Sequence, residues 1–268
     1  MKSTLLEKKI VWEQASEKTD VAFVSPYQKT DKIVLLIHGF MSNKNSETNQ
    51  ILSQRLSEKG IATIRFDLFG HGESSGQFKH LTLSRCLHQV GSAMQWIQNN
   101  GYLNVSIVGS SFGGLIAIHA AEQYPHLRSV ALKCPVSNYP KIWQNRFSDE
   151  GMSRWKKEGT IAFVTEDGKA TLDYSYYEDL LKYDTYSSAS RITAPTLIVH
   201  GDADDDVPVE QTIRLFDTLR LPNNQKQCVI VPGADHAFSK PEDFQAMIDH
   251  VHCWLTTGNI SRKEVGRS

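Results

Sequence analysis

Short, largely apolar runs recur along the chain: Lys32–Ile37, Ala62–Phe66, Val105–Val108, Val130–Leu132, Thr196–Val199 and Cys228–Val231. Runs of this length without polar alternation mark strands buried on both faces, as in a parallel sheet. Helical patterns lie between them. Asn45–Lys59 puts Ile51, Leu52 and Leu56 on one face, and Leu83–Gln98 does the same with Leu87, Val90, Met94 and Ile97. Ser111–Gln123, Glu210–Leu219 and Glu242–Leu255 complete the set, the last two just downstream of Pro208 and Pro241. Strand–helix alternation predicts an α/β fold with a mostly parallel central sheet flanked by helices. Lys9–Glu13 and Val21–Val24 read as an N-terminal hairpin or edge strands.

The rhythm breaks between Pro135 and Ala194, which hold no strong core strand but many aromatic residues, among them Tyr139, Trp143, Phe147, Trp155, Phe163, Tyr174, Tyr176 and Tyr177. Asp167-Gly168, flanked by β-prone residues, signals a hairpin. Insertions this long in a compact domain are usually functional. Residues 137–190 are therefore expected to form a small inserted cap with a β-hairpin, and residues 1–136 and 191–268 the core.

Acidic and basic residues nearly balance, for a net charge of −1 over 268 residues, so no basic field exists to hold nucleic acid. The basic tail Ser261–Ser268 reads as a solvated end. The four cysteines, Cys86, Cys134, Cys228 and Cys253, form no metal-ligand spacing and read as buried free thiols. No secretory pattern opens the chain and no run is long enough to cross a bilayer, so a cytoplasmic location is expected. Asp202-x-Asp204-x-Asp206 resembles a calcium loop only superficially, with Val207 and Ile213 where that loop needs Gly and Glu. The loop Asp67–Gly76 lacks the third glycine of a dinucleotide fingerprint, its place taken by Ser75. No cofactor and no metal are expected.

Gly109-Ser110-Ser111-Phe112-Gly113 is a G-x-S-x-G sequence between a buried strand and a helix. That context marks a strained turn that lifts the serine above the sheet at a helix N-terminus, where developing negative charge is favoured. Ser111 is the candidate nucleophile. A serine needs a base, and His236 lies just past the last core strand, at the sheet end where α/β proteins place their sites. The other histidines considered, His80, His88, His119, His126, His250 and His252, belong to helices or their flanks and read as packing or surface residues. An acid to orient the base is offered by Asp202, Asp204, Asp205 and Asp206. Oxyanion donors are expected from the backbone N–H of Phe112, next to the serine, and of Phe40, in the loop after the first core strand.

Taken together, His38-Gly39-Phe40, Asp67…Gly70-His71-Gly72…Ser74…Gly76, the Ser111 elbow, Gly201-x-x-Asp204-x-x-Val207-Pro208 and Gly233-x-x-His236 resemble the α/β-hydrolase superfamily over about residues 30–255. The resemblance implies the α/β-hydrolase fold and selects Asp204 as the acid. Within the superfamily the chain looks most like bacterial cinnamoyl (feruloyl) esterases. Ser110 stands where those esterases usually carry His, and a Gly-Ser-Ser-x-Gly-Gly elbow also occurs in acyl-thioesterase-like members. The function implied is a carboxylic ester hydrolase working through an acyl-enzyme on small aryl or short-chain acyl esters. An acyl thioesterase or monoacylglycerol-type lipase with the same triad is the alternative. A cofactor-free haloperoxidase or peptidase, and a non-catalytic ligand receptor on this fold, are further rivals. A small-molecule ester is the expected partner, with a homodimer left open.

Overall fold

The computed structural model describes residues 6–14, 17–165 and 168–259. Its first two strands, β1 (Leu6–Gln14) and β2 (Glu17–Ser25), pair antiparallel. Then follow β3 (Lys32–Ile37), α1 (Glu47–Glu58), β4 (Ala62–Phe66), α2 (Leu83–Asn99), β5 (Asn104–Ser110), α3 (Phe112–Gln123) and β6 (Ser129–Lys133). After an excursion come β9 (Thr196–Gly201), α7 (Val209–Thr218), β10 (Lys226–Val231) and α8 (Pro241–Thr257). Among the described residues eight strands form one sheet in the order β1-β2-β4-β3-β5-β6-β9-β10, parallel from β4 to β10.

The unbroken apolar runs follow from burial on both faces. In β3, Ile33, Leu35 and Ile37 enter one core with α2 and α3, while Val34 and Leu36 enter a second with α1 and α8. Strand order reverses at β3 and β5, since β3 leads outward to β4 while β5 leads to β6 on the other side. Such a switch point opens a crevice at the carboxyl ends of the two strands. Here that crevice lies between the loops that begin at His38 and Ser111.

The excursion between β6 and β9 holds α4 (Tyr139–Glu158), β7 (Thr160–Thr165), β8 (Gly168–Asp173), α5 (Tyr174–Leu180) and α6 (Thr185–Ala189). Asn138 caps α4 by accepting from the Lys141 N–H, and the helix kinks at Ser148, whose φ is 52°. It ends at left-handed Gly159, and β7 and β8 pair antiparallel from Thr160↔Asp173 to Thr165↔Gly168. Asp167 of the expected turn lies outside the described residues, as does the tail 261–268. Trp155, fully buried, donates to the Leu172 carbonyl at 3.0 Å. The excursion is tied to the core at the start of α2, where Asp179 accepts from the Ser84 N–H at 2.8 Å and its hydroxyl at 2.7 Å. His80 adds a 2.6 Å contact to Asp173. Cys86 and Cys134 are buried free thiols, whereas Cys228 and Cys253 are only half-buried. For Cys228 the reason is that β10 is an edge strand.

Candidate active site

Ser111 sits between β5 and α3 with φ 53° and ψ −114°, a region that L-residues rarely enter. The surrounding backbone over-determines it. Its N–H donates to the Lys133 carbonyl at 2.9 Å, and its own carbonyl accepts from Gly114 at 2.9 Å and Val136 at 3.2 Å. The elbow glycines are steric requirements. A Cβ on Gly109 would lie 2.2 Å from the Gly113 carbonyl oxygen, and one on Gly113 would lie 2.3 Å from the Ile37 oxygen. Helix α3 thus rests directly on β3 and β5. Among the described residues the Ser111 hydroxyl makes no hydrogen bond within the chain, and neither the Phe112 nor the Phe40 N–H donates to a chain acceptor. Those two N–H groups flank the crevice with donors to spare.

His236, after β10, is the half-buried member of the site. Its Nδ1 lies 2.7 Å from Asp204 Oδ2, and the Asp204 side chain is fully buried. The other carboxylate oxygen of Asp204 accepts from the N–H groups of Asp206 at 3.0 Å and Val207 at 2.8 Å. Burial alone would push this carboxyl up, but the neighbouring His200 ring and hydrogen bonds from His236 and Val207 outweigh it and hold the group well below the usual carboxylate range. Asp202, Asp205 and Asp206 are exposed. The geometry therefore joins His236 to Asp204 alone. No hydrogen bond joins Ser111 to His236 among the described residues; Lys133 links them instead, its carbonyl on the Ser111 N–H and its ammonium 2.6 Å from the His236 carbonyl oxygen.

The loop carrying Phe40 is held by the motif Asp67–Gly76. His38 Nε2 accepts from the Leu68 N–H at 2.9 Å, and His71 Nε2 accepts from the Met41 N–H at 3.1 Å. Each ring also donates from Nδ1 to a carbonyl, Gly39 at 2.8 Å and Phe69 at 3.0 Å. Both rings are buried, and burial followed by the neighbouring His71 drives His38 down to about 3. Asp67 accepts from the Lys44 N–H and ammonium, both at 2.7 Å, and from the Glu73 N–H at 2.9 Å. The Lys44 ammonium lies 2.8 Å from Asp20 and 3.0 Å from Glu73 as well. Burial alone would lower it, but these carboxylates hold it above its ordinary value. Gly72 is needed because a Cβ there would fall 2.2 Å from the Asp67 carboxylate. The glycine-rich loop thus acts as a clamp on the Phe40 turn.

Aromatic rings of the excursion gather on the Phe40 turn. Phe40 packs within 5.9–6.2 Å of Phe112, Tyr139, Trp143, Phe163 and Tyr176, centroid to centroid. Inside this group the Tyr176 hydroxyl and Trp143 Nε1 are buried without a hydrogen-bond partner. Two cavities flank it. One of about 550 Å³ runs between α4 and α7 along Asp205 and Asp206, and one of about 520 Å³ lies between Met41–Asn43 and the hairpin at Lys169–Thr171. Sequence reasoning did not single out Lys44, Lys133 or His200; for Lys133 the signal was a cation ending an apolar strand.

The sheet order, the switch-point crevice and the strained serine turn are those of the α/β-hydrolase superfamily. The prolyl oligopeptidase family matches residues 47–258, and the chain belongs to that family. It is 25% identical over 246 residues to mouse (Mus musculus) palmitoyl-protein thioesterase ABHD10, mitochondrial, covering 87% of this chain and 78% of the relative. It is 23% identical to 2-hydroxy-6-oxo-6-(2'-aminophenyl)hexa-2,4-dienoic acid hydrolase of Metapseudomonas resinovorans, over 87% of this chain and 92% of the relative. Among solved structures, ferulic-acid-bound Est1E from Butyrivibrio proteoclasticus superposes with a TM-score of 0.78 at 22% identity, covering 92% of this chain and 96% of that one. No helix among the described residues is long and apolar enough to cross a membrane.

Proposed function

We propose that the protein is a carboxylic ester hydrolase in which Ser111 attacks, His236 serves as base and acid, and Asp204 orients His236. The observation that carries this reading is the 2.7 Å bond from His236 Nδ1 to a fully buried Asp204 carboxylate, linked through Lys133 to a serine in an elbow conformation. His236 Nε2 takes the Ser111 proton as the hydroxyl adds to the ester carbonyl. The N–H groups of Phe40 and Phe112 receive the oxyanion. The tetrahedral intermediate collapses, His236 protonates the leaving alcohol, and water repeats the sequence on the acyl-enzyme. The serine–histidine contact is of the kind that tightens as the Michaelis complex forms.

Residues 137–190 serve as a cap over the serine. Their aromatic wall suits a flat aryl or short acyl group. A second reading, acyl thioesterase, is favoured by the Ser110-Ser111 pair and by likeness to proteins named palmitoyl-protein thioesterase. The test is a matched panel of hydroxycinnamate methyl esters, short and long aliphatic esters and acyl thioesters, with Ser111→Ala as control. Fastest turnover of aryl or short esters with an inactive variant supports the first reading. Turnover of thioesters alone selects the second, and full activity of Ser111→Ala removes both.

A further inference from the structure

We propose that His200 is a positioning residue for the acid of this triad, bracing Asp204 from the side opposite His236 and limiting the charge that the carboxylate offers the catalytic ring. The inference rests on the roles given above to Asp204 and His236.

His200 lies on β9, four residues before Asp204, with no exposed surface. Its Nε2 is 2.9 Å from the Val207 carbonyl oxygen and 3.1 Å from Asp204 Oδ2. Both neighbours accept only, so Nε2 must carry a hydrogen. That hydrogen points at Val207 and passes the carboxylate side-on, so its effect on Asp204 is electrostatic rather than a straight hydrogen bond. The other ring nitrogen, 2.7 Å from Thr212 Oγ1, then receives the threonine proton. One tautomer satisfies all three neighbours.

The oxygen that His200 faces is the same Oδ2 that accepts from His236 at 2.7 Å. Two imidazoles thus converge on a single buried oxygen, and they are not equivalent. The His236 side chain is 21% exposed and can meet substrate, whereas His200 is sealed by β9 and α7. His200 also donates to the carbonyl of Val207, the residue whose backbone N–H binds Asp204 Oδ1, so it fixes the 204–207 turn from both ends. The other groups around the pair are the Lys133 ammonium on the His236 carbonyl, the Cys134 thiol, and the exposed carboxylates Asp206 and Asp235. Burial keeps Cys134 protonated, up to about 12, so it adds no charge.

An N–H pole beside Oδ2 draws negative charge away from His236. Without it, Asp204 holds the imidazolium more tightly, and protonation of the base inhibits the enzyme at higher pH. The experiment compares pH profiles of kcat/KM for the wild type, His200→Leu and His200→Gln on p-nitrophenyl acetate, with Asp204→Asn alongside. Leucine fills the space without a donor; glutamine carries an amide N–H to about the Nε2 position. The acid limb of His200→Leu is expected to move up by roughly half to one unit, with kcat down several-fold and KM little changed, while His200→Gln restores the limb. An unmoved limb in His200→Leu, or identical profiles for the two variants, overturns the proposal. If neither variant folds, the ¹⁵N shifts of wild-type His200 decide: protonated Nε2 supports it, protonated Nδ1 overturns it. Failure of the triad itself would read differently, as an Asp204→Asn variant with wild-type activity.

Discussion

The Lys133 ammonium donates to the His236 carbonyl oxygen at 2.6 Å, while the Lys133 carbonyl accepts from the Ser111 N–H at 2.9 Å. One buried residue at the end of β6 thereby holds both loops that bear the proposed nucleophile and base. Burial pulls its ammonium below the ordinary lysine value, so its desolvation is a standing cost. Lys133→Met keeps the backbone link and removes the side-chain one. Its kcat should fall about tenfold, the ~1.4 kcal/mol expected of one positioning bond. Urea stability should change by less than about 1 kcal/mol, because loss of the hydrogen bond is offset by loss of a buried charge. Matched kinetics and unfolding curves check both.

Ser111 shows the opposite balance. Its φ of 53° and ψ of −114° are natural only to glycine. Ser111→Gly should stabilise the protein by about 1 kcal/mol while abolishing ester turnover, and Ser111→Ala should abolish turnover with little change in stability. Differential scanning calorimetry with the ester assay separates strain from chemistry.

Lys44 is surrounded by Asp20, Asp67 and Glu73 at 2.7–3.0 Å. Replacing it with methionine leaves the Asp67 carboxylate buried without a cation and leaves Asp20 only the exposed Lys9 ammonium at 3.0 Å. The expected loss is ~3–5 kcal/mol, the cost of breaking a buried pair from one side. Because Asp67 also binds the Lys44 N–H, the Phe40 turn should loosen and kcat should fall with stability. A variant that unfolds at the wild-type urea midpoint would contradict the clamp described for this loop.

Acid should weaken the fold through its buried histidines. His38 is depressed by burial from 6.5 to about 3, and His119 to about 4. Between the folded and unfolded values the unfolded chain binds the extra proton, so stability rises with pH there. The contribution of each ring is complete above pH 6.5 and is lost as pH falls from 6.5 toward those lower values, at up to about 1.4 kcal/mol per pH unit for one fully buried ring. Asp204, held low, acts in the same sense below the ordinary carboxylate range. Urea midpoints should be flat above pH 7 and fall steadily from pH 6.5 to 4.5. Replacing His38 by glutamine should flatten that slope.

The sheet was legible because unbroken apolar runs report burial directly, and the elbow because glycine spacing reports steric contact. Asp204 was not separable from Asp202, Asp205 and Asp206 by position alone. What singles it out in the structure is burial and a 2.7 Å partner 32 residues away in the chain. Lys44 carries no signal of its own in the sequence, since its neighbours Asp20 and Asp67 are distant along the chain. His200 looked like one more residue of an apolar strand. Its chemistry depends on the turn after β9 folding back onto the ring, which no periodicity records.

The residue-137–190 excursion leaves the sheet after β6 and re-enters at β9, and those two strands are hydrogen-bonded neighbours, with Val130 opposite Thr196 and Lys133 opposite Val199. Its two splice points are therefore already stitched together by the sheet, whatever the intervening chain does. A lineage can lengthen, shorten or exchange that cassette without shifting the register of any core strand. Under the cap role proposed above, selectivity for substrate and integrity of the scaffold can then be inherited as separate traits.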